Sequence, residues 1–111
     1  MDFDFTEEQL MVRKMAKKFA YEDIIPYAKE NDRNCHFPRE ILQKMVPLGL
    51  LGGPIPQEYG GAGLDYISHA IITEEVGRAD SSLRTTLSVQ ISLVEFAILQ
   101  WGTEEQKRKY L

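Results

Sequence analysis

From Asp80 to Trp101 the chain reads D-S-S-L-R-T-T-L-S-V-Q-I-S-L-V-E-F-A-I-L-Q-W, with apolar Leu83, Leu87, Ile91, Val94, Ile98 and Trp101 at steps of four, four, three, four and three. That is the spacing of one helix face. Val89, Leu93, Phe96, Ala97 and Leu99 cover most of the remaining surface. Only Arg84 and Glu95 carry charge, and Arg84, Ser88, Ser92 and Glu95 fall on one narrow polar stripe. A helix that is apolar nearly all round is expected to be buried nearly all round. Covering about six turns of it asks much of the rest of a 111-residue chain. The pattern therefore predicts contacts with something larger.

The other segments also have helical periods. Thr6-Glu7-Glu8-Gln9 is a capping box opening a helix with Val12, Met15 and Phe19 inward and Lys14, Lys17 and Lys18 outward. Pro26 is expected to end or kink it after Ile25, with helix resuming from Tyr27 to about Asn31. Pro38 fits the first position of a second helix that turns Ile41, Leu42 and Met45 inward and stops near Pro47 and Gly49. Gly52 to Gly63 holds five glycines and two prolines in twelve residues and predicts a loop without regular structure. Leu64 or Asp65 starts a third helix, with Ile67, Ala70, Ile71 and Glu74 to Val76, ending near Gly77. Asp80, Ser81 and Ser82 offer N-caps for the long fourth helix, and Gly102 breaks it. Thr103-Glu104-Glu105-Gln106 repeats the capping box before a fifth helix ending at Lys109-Tyr110-Leu111. With no strand-like alternation, the expected fold class is all-α, with five helices.

Thirteen basic against seventeen acidic residues give a net charge of −4. That balance disfavours phosphate-backbone binding and attachment to anionic lipid. Cys35 is the single cysteine, outside any C-x-x-C spacing, so neither a disulfide nor a zinc staple is expected. Met1-Asp2-Phe3-Asp4 lacks the basic opening of a signal peptide. No run reaches about 18 apolar residues, so no membrane span is expected, and the plain expectation is a cytoplasmic protein.

Little of the chain suggests catalysis. Gly61-Ala62-Gly63 has no preceding strand and no third glycine, so it reads as loop-shaping rather than phosphate-binding. His36 and His69 have no partner at metal-ligand spacing, and Cys35 has no local activating pattern. Glu104 to Lys109 reads as a solvated helix face, with Glu104–Arg108 and Glu105–Lys109 pairs four residues apart. Arg84 and Ser88 are more informative. Four apart on one face, they could offer a carboxylate two parallel guanidinium hydrogen bonds and a hydroxyl. Arg84 could equally turn back to Asp80 and close the helix start. No complete catalytic set is present.

Four blocks occur in order: Gly49-Leu50-Leu51, Pro56-Gln57-Glu58-Tyr59-Gly60-Gly61-Ala62-Gly63-Leu64-Asp65, Glu74-Glu75-Val76-Gly77-Arg78, and Gly102 to Leu111. Together they resemble the N-terminal helical domain of the acyl-CoA dehydrogenases, from about Phe3 to Leu111. The resemblance implies a five-helix orthogonal/up-down bundle at residues 1–111. In that family a β-domain and a C-terminal helical domain follow. It also implies FAD held between those domains and a C-terminal glutamate that removes the substrate's α-proton. The β-hydrogen leaves as hydride to the flavin, electrons pass to an electron-transfer flavoprotein, and the enzymes are commonly homotetramers. The domain itself supplies neither the base nor most flavin contacts, so these residues alone are expected to be inactive. Its fourth helix helps form the bottom of the acyl pocket.

Arg84 to Val94 is most similar to the glutaryl-CoA dehydrogenase branch. There an arginine and a serine at this spacing hold the distal carboxylate of the substrate, and a leucine matching Leu93 lines the pocket. The resemblance thus implies Arg84, Ser88 and Leu93 as substrate-binding residues. One position departs: glutaryl-specific members often carry an acid where Gly77 stands, and a substituted succinyl-type thioester would also present a distal carboxylate. The competing reading is a freestanding helical module that binds a protein partner through the fourth helix.

Overall fold

The computed structural model describes residues 1–111, and the chain is helical with no strand. The first helix, α1 (Glu7–Phe19), opens on the expected capping box. The Thr6 hydroxyl accepts from the Gln9 N–H at 3.2 Å, while the Gln9 amide oxygen accepts from the Thr6 N–H at 2.9 Å. The helix does not end before Pro26. It widens into a π stretch at Ala20–Ile24 and continues as α2 (Ile25–Arg33), with the Ile25 N–H bonded to the Ala20 carbonyl five residues back. Proline lacks a donor and crowds the carbonyl of the preceding turn. A widened turn is one way to absorb both defects without breaking the rod.

Pro38 stands one position earlier than expected, at the cap of α3 (Arg39–Met45), which buries Ile41 and Met45. The glycine loop that follows is not wholly irregular, because Gln57–Tyr59 forms a 3-10 turn entered from Pro56 at φ −57. Bonds from the N–H groups of Ala62 to Gly52, Gly63 to Ile55 and Leu64 to Gly53 fold the loop on itself. A side chain at Gly61 would collide with the Ile55 carbonyl. That glycine is required by loop closure.

Asp65 caps α4 (Tyr66–Ala79) by accepting from the Ser68 N–H at 2.8 Å. This helix buries Ile71, Ile72 and Val76, whereas Ile67 faces outward at 52% exposure. It also runs past Gly77 to Ala79 and stops where Asp80 turns extended, at φ −157 and ψ 116. Asp80 is at once the end of α4 and the N-cap of α5 (Ser81–Ser88). A π stretch, Val89–Glu95, joins α5 to α6 (Phe96–Trp101), making one continuous 21-residue helix from Ser81 to Trp101. Gly102 is extended, and the second capping box, Thr103 with Gln106, opens α7 (Glu104–Tyr110). There are thus five helical bodies.

Ala16, Phe19, Ala20 and Ile24 of the first helix meet Ile72 and Val76 of α4 and Leu83, Leu87 and Ile91 of the fourth body in one core, which α3 closes with Ile41 and Met45. Each fully buried large aliphatic side chain contributes roughly 1.5–3 kcal/mol. The Ser81–Trp101 helix reaches a mean hydropathy of 1.2 and by length and composition alone is long and apolar enough to cross a membrane, although one such helix is weak evidence of a span. Its seating accounts for part of that composition. Leu83, Leu87 and Ile91 are its contribution to the core just described.

Only the first half of that helix is enclosed. Val94 is 42% and Trp101 84% exposed, so the stripe expected from the 3.6-residue period does not continue inward. The π stretch changes the phase, and Glu95 occupies the inward position instead, 9% exposed. Glu95 borders a cavity of about 350 Å³ with Ile55, Tyr59, Gly61 and Leu111. One carboxylate oxygen accepts from the Gln90 amide at 3.3 Å; the other has no partner. Burial pushes its carboxyl up from the usual range.

The ends of α1 and α4 are tied through one side chain. Gln9, itself buried, donates from its amide to the Asp65 carboxylate at 2.7 Å while completing the Thr6 box. Hydrogen bonds from Ser68 and then Gln9 hold the Asp65 carboxyl below its usual range. Gln9→Ala is therefore expected to lower stability by about 1–2 kcal/mol, read as a lower urea midpoint at unchanged slope. Glu95 should act with the opposite sign. A carboxyl whose folded pKa is raised destabilises the fold progressively as pH rises through the unfolded value, about 4.3, to the folded one. Glu95→Gln is expected to raise the urea midpoint at pH 7.5 and leave it nearly unchanged at pH 4. An equal shift at both pH values would trace the effect to packing rather than charge.

Candidate substrate-facing site on the fourth helix

Arg84 and Ser88 lie in α5, one turn apart, and both are partly buried. Leu93 lies in the π stretch and is 66% exposed. In an unbroken α-helix the five-residue step from Ser88 to Leu93 would leave them about 140° apart. In π geometry residues five apart are hydrogen-bonding partners, as the Phe96 N–H to Ile91 carbonyl bond illustrates. The widened turn therefore brings Leu93 back toward the side that carries Arg84 and Ser88. A 3.6-residue period read from sequence has no means of anticipating this.

The alternative pairing of Arg84 with Asp80 does not form. The Asp80 carboxylate accepts from the Ser82 N–H at 2.8 Å, the Ser82 hydroxyl at 2.6 Å and the Leu83 N–H at 3.4 Å. It is already engaged in capping α5. Arg84 takes part in none of the chain's ion pairs, whose cations are Arg13, His36, Lys44, Arg78 and Arg108. Its aliphatic stem instead lies over Gly77 of α4. None of the larger clefts is lined by Arg84, Ser88 or Leu93, so in these residues the site is an open face.

The remaining polar candidates are dispersed. His36 sits beside Glu40, with its Nε2 3.0 Å from a carboxylate oxygen. His69 is half-buried in α4, where burial pushes its pKa down and leaves Nδ1 unpartnered. Cys35 is exposed in a left-handed turn at φ 52. No group of three or more His, Cys, Asp or Glu side chains converges as a metal site. Glu104 does pair with Arg108 at 3.0 Å, and its other oxygen accepts from the Tyr59 hydroxyl at 2.9 Å. That face is thereby tied to the glycine loop rather than merely solvated.

The family model for the acyl-CoA dehydrogenase N-terminal domain matches residues 6–111. The probable acyl-CoA dehydrogenase YngJ of Bacillus subtilis is 45% identical over 111 residues, covering all of this chain and 29% of that protein. A chain in the solved structure of the electron transferring flavoprotein of Acidaminococcus fermentans superposes with a TM-score of 0.96 at 41% identity, covering 100% of this chain and 29% of that one. The glutaryl-coenzyme A dehydrogenase complex with glutaryl-CoA superposes at 0.94 with 38% identity, covering 99% and 29%. This chain thus spans less than a third of the length of the proteins it matches. Since the glutaryl enzyme is less similar than YngJ, overall similarity does not select the acyl chain. The chain belongs to the acyl-CoA dehydrogenase N-terminal domain family.

Proposed function

We propose that residues 1–111 are the N-terminal domain of a longer flavin-dependent acyl-CoA dehydrogenase. In this reading its fourth helix forms part of the acyl pocket for a dicarboxylic acyl-CoA such as glutaryl-CoA. The observation that carries the proposal is Arg84. It is a partly buried cation without an ion-pair partner in the chain, one helical turn from Ser88, with Leu93 exposed five residues further on. A distal carboxylate would accept two parallel hydrogen bonds from the guanidinium and one from Ser88, and Leu93 would flank the methylene chain.

The domain's part in the reaction is to hold the acyl chain. Its glycine loop is closed upon itself and has no strand–loop–helix phosphate cradle, so no residue here is assigned to FAD. The flavin, the proton-abstracting glutamate, the β-domain and the C-terminal helical domain belong to the rest of the enzyme in this proposal. An electron-transfer flavoprotein as acceptor and a homotetrameric assembly follow from the same reading. The 111 residues alone are expected to show no dehydrogenase activity.

Fixing the carboxylate contributes through orientation and through the charge-assisted bonds themselves. In the flavin-loaded full-length enzyme, Arg84→Gln is expected to lower kcat/KM for glutaryl-CoA by about 10- to 150-fold, equivalent to roughly 1.5–3 kcal/mol. Turnover of butyryl-CoA should change little. Equal losses on both substrates would sink the carboxylate assignment.

A further inference from the structure

The carboxylate of Glu95 has no part in the acyl-pocket reading. The residue is 9% exposed and closes the π stretch Val89–Glu95, a kind of turn that recurs at functional sites. One carboxylate oxygen accepts from the Gln90 amide at 3.3 Å, and the other is shielded from solvent without a hydrogen-bond partner. Glu75, also deeply buried, has Arg13 and Arg78 within 3.8 Å. Glu95 has no cation at all. A buried carboxylate left in this state is costly, and native folds supply such groups with a donor.

Glu95 is the only charged side chain on the wall of its cavity. The cavity measures about 350 Å³, and Val46, Leu51, Ile55 and Leu111 give it aliphatic surface beside the glycine loop. Liquid water takes about 30 Å³ per molecule, so the space suits something larger. One anionic group among aliphatic side chains matches an aliphatic stem with a cationic head, the build of lysine or arginine. No lysine or arginine of this chain lines the cavity. Arg108, which lies over the ring of Tyr59 on the wall, is paired with Glu104 at 3.0 Å. Leu111 forms part of the wall, so in the longer enzyme the chain runs on from the cavity itself. A side chain tethered there holds a high effective concentration over any free cation.

We propose that the cavity receives a lysine or arginine side chain from the stretch that follows Leu111, and that its ion pair with Glu95 fastens this domain to what comes after it. This rests on the reading of residues 1–111 as the N-terminal domain of a longer enzyme. The pair reverses the energetic sign of Glu95. In residues 1–111 alone the carboxylate is uncompensated, and neutralising it stabilises the fold. In the longer enzyme neutralising it strands a buried cation, which is strongly destabilising.

The test places Glu95→Gln in the 111-residue chain and in the flavin-loaded full-length enzyme, and reads amide hydrogen exchange at pH 7.5. In the full-length enzyme the substitution is expected to speed exchange at least tenfold, both in residues 52–63 and in the stretch after Leu111. In the 111-residue chain it should slow exchange of the same loop. Replacing each lysine or arginine of the following stretch by methionine should reproduce the effect at one position only. Combining that change with Glu95→Gln should add less than twofold. Unchanged or slower loop exchange in full-length Glu95→Gln, with acyl-CoA turnover intact, would overturn the pairing and leave the enzyme reading standing. An effect that disappears on dilution would transfer the cation to a second copy, and one that tracks ammonium concentration would assign a free cation; either also overturns it. A reading frame that ends at Leu111 would remove the reading beneath it.

Discussion

Two helices of this domain meet through a single residue. Asp80 ends α4 and caps α5, and its extended backbone turns the chain without an intervening loop. With so short a connection, the last turn of α4 and the first turns of α5 must face one another, and Val76 and Leu83 fall into the same core. One oxygen of the Asp80 carboxylate makes the corner possible, accepting from the Ser82 and Leu83 N–H groups. Arg84, one turn further on, does not pair with that carboxylate.

The two π stretches show the same coupling of local defect to placement. At Ala20–Ile24 a widened turn accommodates Pro26 and keeps Ala20 and Ile24 in the core on a rod that would otherwise break. At Val89–Glu95 no proline is present. There the widening changes which side chains face inward: Ile91 stays buried, Glu95 follows it, and Val94 and Trp101 turn out. The same change of phase brings Leu93 toward the face of Arg84 and Ser88. Packing and the candidate site are thus governed by one irregularity.

Much of this was legible in sequence wherever the signal is local. The Thr6 and Thr103 capping boxes, the Gly102 break and the all-α class depend on residues within a few positions of each other, and the structure contains all of them. Less legible were features set by the register of a turn or by a distant neighbour. Ile67, Val94 and Trp101 fit a 3.6-residue stripe and yet face outward, because an apolar pattern does not encode a π turn or say which side a neighbour covers. Glu95 read as part of a narrow polar stripe with Arg84 and Ser88, whereas in the structure it borders a cavity with residues of the glycine loop. The choice between Asp80 and a ligand for Arg84 could not be made from spacing, since both lie within reach of one side chain. The folded geometry is what leaves Arg84 and Asp80 unpaired.

The exposure of the fourth helix gives the unpartnered arginine its consequence. Leu93, Val94 and Trp101 remain in water in these 111 residues, and in the proposed enzyme the missing domains would cover that face. Covering it removes water from Arg84 as well. A guanidinium deprived of solvent and of an anion is strongly unfavourable, and a well-placed carboxylate offsets that cost. The arginine would therefore act twice in selectivity: it attracts a carboxylate-bearing chain, and it penalises a neutral one that occupies the covered pocket and leaves the charge unmet. The second effect can be the larger, because it scales with how completely the site is closed rather than with the strength of any one hydrogen bond. In the proposed enzyme, an Arg84 free of internal partners would bring this discrimination with it before any substrate arrives.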